Sequence, residues 1–78
     1  MRTLADMTPQ ERAQCRGMWA KTLDGLAIII DWFYIDGALY STVAFSLKPD
    51  AKISKHIADS VIPLPDLPRA RARKYATG

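Results

Sequence analysis

The sequence is poor in the residues that carry most catalytic and metal-binding chemistry. It has one cysteine, Cys15, and one histidine, His56, among 78 residues. A single cysteine excludes an internal disulfide framework and favours a reducing cytoplasm, and a zinc site needs about four nitrogen or sulfur ligands. The acidic residues are scattered without a close pair, and no glycine-rich phosphate loop is present. We therefore predict a protein that is not an enzyme and that uses no metal or cofactor.

Targeting signals and a basic folded body are also missing. The first twelve residues are polar, so we expect no signal peptide. Four of the eleven basic residues follow residue 66, so the first 66 residues hold seven bases against eight acids, a net charge of −1. The basicity therefore belongs to the end of the chain. We assign one small domain to residues 1 to 66 and a basic, disordered tail to residues 67 to 78.

One long hydrophobic run, residues 25 to 47, has the length of a transmembrane helix. Asp31 and Asp36 lie inside it, and each would cost about 2.5 to 3.5 kcal/mol near the centre of a bilayer. The run is rich in β-branched and aromatic residues, which favour strands. Asp36-Gly37 in its middle is a strong signal for a β-hairpin turn. We therefore predict a hairpin and no membrane span.

The predicted hairpin has a register that separates two faces. With Asp36 and Gly37 as the turn, one face is apolar at nine of its ten positions. That face holds Leu26, Ile28, Ile30, Trp32 and Tyr34 opposite Leu47, Phe45, Val43, Ser41 and Leu39. The other face pairs Phe33 with Tyr40, beside Ile35. Because a slip of one residue moves every side chain to the opposite face, this separation supports the register.

A short helix and a second turn complete the first part of the predicted order. The tetrapeptide Thr8-Pro9-Gln10-Glu11 has the residues of a capping box, with proline at the first helical position, which predicts a helix over residues 9 to 16. A second Asp-Gly pair, at positions 24 and 25, predicts another turn. The three strands of the resulting antiparallel meander are expected at 18 to 23, 26 to 35 and 38 to 47. Trp19 and Leu23 are expected on its apolar face.

The segment after the meander fits two structures. Ile53, Ile57 and Val61 recur at helical spacing within residues 51 to 62, yet the same segment fits two short closing strands. We favour strands, because a lone meander leaves exposed edges. From its residues, the fold class is α+β and mostly β: a short N-terminal helix, then a curled sheet, then an extended basic tail.

Two parts of the chain resemble known families. The order of strands with short turns, closing on "VIPLPDLPRA", resembles the small barrels of the Src-homology-3-like kind. The flanking pieces "MTPQERAQCRGMW" and "PDLPRA" resemble small, mostly uncharacterised proteins of actinobacterial phages and prophages. The resemblance implies that the three-stranded meander closes into a small barrel of that kind. It also implies a cytoplasmic, host-facing accessory protein, and it supplies no catalytic residues.

The sheet surface around Phe33 and Tyr40 is the candidate binding site. An exposed apolar patch with aromatic anchors is typical of protein interfaces, although the helix or residues 51 to 62 could equally cover this face. The partner-binding residues are predicted to be Trp32, Phe33, Ile35 and Tyr40. We predict a small protein-interaction module, in its most specific form a phage- or prophage-encoded modulator or inhibitor of a host protein complex, with an anti-defence role as one version. A homodimer is a further alternative.

The basic tail supports a rival hypothesis. Its basic residues are Arg69, Arg71, Arg73 and Lys74. The alternate spacing of the arginines places them on one side of an extended chain, where they can contact phosphates. The rival is therefore a small nucleic-acid-binding protein that acts through this tail, assisted by Lys48, Lys52 and Lys55. The alternative is a tail that only improves solubility.

Overall fold

The computed structural model describes residues 2–68, which form a single antiparallel sheet and three short helical segments. The helical segments are a first 3₁₀ turn at Leu4–Asp6, helix α1 at Pro9–Ala13 and a second 3₁₀ turn at Ala58–Ser60. The strands are β1 (Trp19–Thr22), β2 (Gly25–Ile35), β3 (Ala38–Ala44), β4 (Ile53–Ile57) and β5 (Ile62–Pro63). Their order in the sheet is β4-β3-β2-β1-β5. The expected small, mostly-β domain with a three-stranded meander is therefore confirmed.

Helix α1 has the predicted N-terminal cap and is shorter than predicted. The Glu11 amide donates to Thr8 Oγ1 at 3.2 Å, and the Thr8 amide donates to Glu11 Oε1 at 3.0 Å. Pro9 occupies the first helical position. The helix ends at Ala13, and the turns after it run to Gly17, whose φ of 79° is a conformation that glycine adopts without steric cost.

A buried arginine, Arg12, holds parts of the N-terminal segment together. Its Nε donates to the Leu4 carbonyl at 3.2 Å and its Nη2 donates to the Met7 carbonyl at 2.7 Å. Hydrogen bonds from a charged donor are stronger than neutral ones, so these two bonds hold the chain between Leu4 and Met7 in place. The Leu4 amide in turn donates to the Val61 carbonyl at 2.8 Å. The two ends of the domain are thereby joined.

The β2–β3 hairpin has the predicted register in only one of its halves. We call residues 31–35 and 38–42 the distal half, and here every pair is as predicted. We call residues 27–29 and 43–44 the proximal half. A β-bulge between Ile29 and Asp31 shifts the pairing there by one residue, so Ile28 lies opposite Ala44 instead of Phe45. The predicted apolar face is therefore wrong in the proximal half, where Ile29 and not Ile28 joins the core.

The core lies between one face of the sheet, the N-terminal segment and the second 3₁₀ turn. Its buried residues are Leu4, Cys15, Ala20, Ile29, Ala58 and Val61, against which Met7, Met18, Trp32 and Leu39 pack. We call the side of the sheet that faces this core the inner face and the opposite side the outer face. Residues 27 to 29 are all buried. Because successive side chains of a strand point to opposite faces, the sheet is covered on both faces there.

Trp19 and Leu23 were predicted on the apolar face of the meander, and neither of them joins the core. Trp19 pairs with Ile28, so it belongs to the outer face of the proximal half. Leu23 lies in the turn between β1 and β2 and is 82 % exposed. The bulge accounts for the difference at Trp19, because it moves Ile28 and its partners to the outer face.

The segment from residue 51 to residue 62 contributes to two strands, β4 and β5, as favoured from the sequence, and the second 3₁₀ turn separates them. β4 continues the sheet beside β3, and β5 returns to pair with β1. In residues 2–68 the hydrogen-bonded ladders do not join β4 to β5, so the sheet is not a closed barrel. The sheet is nevertheless curled. Asp24 Oδ2, in the turn between β1 and β2, lies 3.4 Å from Nε2 of His56 on β4, although β3 separates β2 from β4.

Candidate functional site

The turn of the β2–β3 hairpin has the conformation that its two residues favour. Asp36 and Gly37 have φ values of 50° and 83°. Two consecutive residues with positive φ are what a type I′ hairpin turn needs, and aspartate and glycine tolerate this conformation better than most residues. The local sequence therefore determines where the distal half ends and which residues face each other along it.

An aromatic and aliphatic row crosses three strands on the outer face of the distal half. Phe33 pairs with Tyr40, and Tyr40 pairs with Ile57. The Phe33 and Tyr40 rings are stacked, with centroids 6.1 Å apart and planes 17° from parallel. Ile35 follows Phe33 on the same face of β2, and both Ile35 and Ile57 are 42 % exposed. We call Phe33, Ile35, Tyr40 and Ile57 the outer patch.

Neither segment considered as a cover for this face lies over the outer patch in residues 2–68. The N-terminal segment packs on the inner face, where Leu4 and Cys15 belong to the core. Residues Ile53–Ile57 form a strand beside β3, which widens the face instead of burying it. Phe33 and Tyr40 remain half-buried, and the two isoleucines remain exposed. The outer patch is therefore a surface and not a second core.

Trp32, which was predicted to bind a partner with Phe33, lies on the inner face. Its ring packs against the core, and the Arg16 guanidinium lies 4.5 Å from the ring centroid. Arg16 also donates to Asp31 Oδ1 at 2.9 Å, which together with the Trp32 amide holds the pKa of Asp31 below its ordinary value. This cation–π and ion-pair arrangement fixes Trp32 beside the bulge. The structure thus brings together Phe33, Ile35 and Tyr40 and separates Trp32 from them.

Sequence reasoning missed one member of the outer patch, Ile57. As long as residues 51 to 62 fitted either a helix or strands, no face could be assigned to Ile57. The signal lay in the alternation of "ISKHI", whose first, third and fifth residues are the exposed ones in β4. Alternation with a period of two is the pattern of a strand. The alternation therefore predicts Ile57 on the same face as Ile53 and Lys55.

The basic residues of the rival hypothesis are only partly described. Arg69, Arg71, Arg73 and Lys74 lie outside the described residues, as does most of the tail that was predicted to be disordered. Lys48 and Lys52 are exposed in the segment between β3 and β4. Lys55 is exposed on β4, opposite Thr42, and so lies on the outer face beside the outer patch.

The two residues with the most reactive side chains lie in separate environments. Cys15 is buried in the core, with its Sγ 3.5 Å from Met7 Sδ. The side chain of His56 is 8 % exposed, and its Nε2 is too poorly aligned with Asp24 for a hydrogen bond at their 3.4 Å separation. Phe45 packs edge-on against the imidazole ring. Residues 2–68 contain no group of three or more His, Cys, Asp or Glu residues that could hold a metal ion.

An apolar groove of about 710 Å³ lies between the N-terminal segment and residues 62 to 67, and no pattern in the sequence indicated it. Its walls are Met7, Cys15, Met18 and Leu26 together with residues 62 to 67, and the charged residues Arg2 and Asp66 also line it. Three prolines at 63, 65 and 68 predicted an extended path for its second wall. What the sequence could not show is that this path runs beside the N-terminal segment.

Comparison with known proteins gives no relative: no protein-family model, curated protein or solved structure matches this chain. The helices in residues 2–68 are all too short to cross a membrane.

Proposed function

We propose that this chain is a non-catalytic protein-interaction module that binds a partner protein through the outer patch. The observation that carries the proposal is the stacked Phe33–Tyr40 pair, continued by Ile57 on the next strand and left accessible. Interfaces are enriched in aromatic anchors with a polar rim. The polar row next to the patch on the outer face is Asp31, Thr42 and Lys55. Such a surface is suited to a partner that buries the rings and leaves the polar row at the rim.

We further propose that the curled sheet is an incompletely closed small barrel of the Src-homology-3-like kind. Support comes from the return of β5 to β1 and from the Asp24–His56 contact, which draws the turn between β1 and β2 toward β4. Small barrels of this type present side chains on rigid strands, which suits a binding module. The role as a phage- or prophage-encoded modulator of a host protein complex rests on the resemblance of the end segments.

The proposal is tested by photo-crosslinking in an extract of the cells that make the protein. A photoreactive amino acid replaces Tyr40 in one variant and Tyr34 in another, because Tyr34 is 65 % exposed but lies on the other face of β2. We expect one specific protein to be crosslinked from position 40 and not from position 34. Binding of that purified protein is then measured by calorimetry for Phe33→Ala with Tyr40→Ala and for the matched control Tyr34→Ala.

We expect the double variant to weaken binding at least about tenfold and the control to change it little, because anchors truncated at an interface centre cost about 2 kcal/mol or more. Circular dichroism and thermal unfolding establish that each variant is folded. Equal binding by the double variant and wild type would overturn the proposal. A crosslink to a second copy of this chain, with a matching dimer in sedimentation experiments, would replace it with homodimerisation.

The nucleic-acid hypothesis is tested separately by a gel shift with single-stranded and duplex DNA. It predicts a shift that weakens as salt is raised and that disappears when residues 69 to 78 are deleted. It also predicts that Phe33→Ala with Tyr40→Ala leaves the shift unchanged. That outcome, together with no crosslinked protein at position 40, would favour the rival over our proposal.

A further inference from the structure

The two outermost strands of the sheet differ in the backbone hydrogen-bonding groups that are available to another strand. β5 is one edge and has two residues, of which Pro63 has no N–H to donate. β4 is the other edge and has five residues with no proline. An edge strand carries a row of backbone donors and acceptors that another chain can pair with, and short or proline-containing edges prevent such pairing. Of these two outermost strands, only β4 has an accessible edge.

The direction of the backbone groups of β4 follows from one hydrogen bond. The Phe45 amide donates to the Lys52 carbonyl at 3.1 Å, in the same register as the β3–β4 pairs. Hydrogen-bonded and non-hydrogen-bonded pairs alternate along an antiparallel ladder. Ser54 and His56 therefore bond to β3, and the backbone groups of the other three β4 residues point away from the sheet. Those residues are Ile53, Lys55 and Ile57.

The same three residues present their side chains on the outer face. Ile57 belongs to the outer patch, Ile53 is 60 % exposed, and Lys55 lies between them. Within residues 2–68, the Ile57 carbonyl is the one outward group with a partner, since it accepts from the Ser60 hydroxyl at 2.8 Å. A strand added beside β4 would pair with the remaining groups. Its side chains on the outer face would extend the Phe33–Tyr40–Ile57 row by one strand.

The charge of the edge selects among possible occupants. In an antiparallel dimer of β4 centred on Lys55, this lysine would lie opposite its own copy. Like charges directly opposite each other destabilise a strand pair, whereas an acid opposite a base stabilises it. A second copy of the chain in this register is therefore disfavoured. A partner strand with an acidic residue opposite Lys55 and apolar residues two positions to either side is complementary to all three outward residues.

We propose that β4 binds an extended segment of the partner protein by strand addition, and that this segment alternates apolar, acidic and apolar residues on the face that meets Ile53, Lys55 and Ile57. The inference rests on the proposed function and names the kind of partner surface that it requires. Main-chain hydrogen bonds supply affinity in this binding mode, and the alternate side chains supply specificity.

The test uses the full chain, isotope-labelled, and a short capped peptide with glutamate at its centre, valine two positions to either side and threonine between. We expect the peptide to shift the backbone amide signals of Ile53, Lys55 and Ile57 more than those of Ser54 and His56. The same peptide with lysine in place of glutamate is expected to bind more weakly. If neither peptide binds, or if the shifts lie in the groove beside Met18, the inference is wrong.

Three variants at one position separate the backbone from the charge. Lys55→Pro removes the outward N–H without removing a bond to β3, as Pro63 does in β5, so we expect the fold to survive and binding to weaken about tenfold or more. Lys55→Gln retains the N–H and is expected to weaken binding only about threefold. Lys55→Glu should reverse the preference, so that the lysine peptide binds better. Binding that Lys55→Pro leaves intact would overturn the inference.

The experiments distinguish a failure of the strand-addition inference from a failure of the proposed function. A crosslinked partner that Lys55→Pro still binds, but that Phe33→Ala with Tyr40→Ala does not, would leave the outer patch as the interface and exclude strand addition. A partner that neither set of variants affects would exclude both. Dimers of the free chain that Lys55→Pro abolishes would show that a second copy occupies the edge.

Discussion

The two halves of the β2–β3 hairpin are built from similar residues but have different roles in the structure. In the proximal half, residues 27 to 29 are buried on both faces, and Ile29 belongs to the core with Leu4 and Val61. In the distal half, the inner face holds Trp32 against the core, and the outer face leaves Phe33 and Tyr40 accessible. Both halves are rich in apolar residues. Hydrophobicity therefore identifies the strand pair but does not distinguish a core from a binding surface.

The bulge at the boundary between the halves is what makes the difference possible. It adds one residue to β2, so the side chains of Ile29 and Trp32 lie on the same face although three positions separate them. A bulge also bends the strand and increases its local twist. The distal half can then keep its inner face against the core and present its outer face to solvent.

Among the variants that compare the two halves, Ile29→Ala is expected to cause the largest loss of stability. Truncating a fully buried isoleucine removes apolar burial and leaves a cavity, which costs about 2 to 5 kcal/mol. The matched control is Ile35→Ala in the distal half, where the exposed side chain leads us to expect about 0.5 kcal/mol or less. Urea unfolding followed by tryptophan fluorescence measures both. Equal losses would show that the two halves do not differ in their contribution to the core.

Deletion of Ile30 tests the bulge itself. Without this residue, Ile29 and Asp31 become neighbours and keep their present faces, so the ladder can run without interruption. We expect a folded variant that retains the pairs Ile29–Val43 and Asp31–Thr42, with a loss of stability smaller than that of Ile29→Ala. Cross-strand NMR contacts identify the register. A variant whose Trp32 moves to the outer face would contradict the assignment of the faces.

The hairpin turn supports only the distal half, and Gly37→Ala is expected to cost about 1 kcal/mol. The cost comes from the backbone, because φ at Gly37 is +83° and no neighbouring atom would contact an added Cβ. Ala38→Gly serves as a control for a change of the same size at the adjacent strand residue. Hydrogen exchange should show that Gly37→Ala raises exchange in the distal half more than in the proximal half. Uniformly faster exchange would count against two separable halves.

The smallest expected change in stability concerns the N-terminal segment that covers the proximal half. This change depends on pH. Arg2 donates to Glu11 at 2.6 and 2.8 Å and the Thr8 amide donates a third bond, which hold the pKa of Glu11 at about 2. This pKa lies below the value of about 4.3 expected in the unfolded chain. Ionised Glu11 therefore stabilises the fold above pH 4.3, and this contribution is lost as the pH falls toward 2.

Glu11→Gln tests the pH dependence directly. We expect the variant to be less stable than wild type at pH 7 and the difference to narrow between about pH 4 and pH 2, as measured by thermal unfolding. Because both side chains are exposed, the difference at pH 7 is expected to be modest. Arg2→Gln should cause a similar loss of stability at pH 7. The variant with both substitutions should be only slightly less stable than either single variant. A difference that stays constant down to pH 2 would contradict the role given to Glu11.

The predictable parts of the molecule are those that local chemistry determines. Asp36-Gly37 and the Thr8–Glu11 capping box identified the hairpin turn and the start of α1, and Phe33 and Tyr40 were correctly paired. The bulge was not predictable, because Ile28, Ile29 and Ile30 are identical in type, and only contacts from distant segments decide which of them is buried. The burial of Arg12 likewise depends on the carbonyls of Leu4 and Met7, which no pattern in the sequence reveals.

The bond between the Leu4 amide and the Val61 carbonyl has a consequence for when the chain can fold during its synthesis. The partner of Leu4 is made 57 positions later in the chain. Contacts between distant positions form late, because the intervening chain must first be ordered. The meander can pair as it emerges, whereas Ile29 stays uncovered until residues 58 to 61 appear. The newborn chain therefore exposes its core until residues 58 to 61 have been made, a period in which it depends on chaperones or on fast synthesis to avoid aggregation.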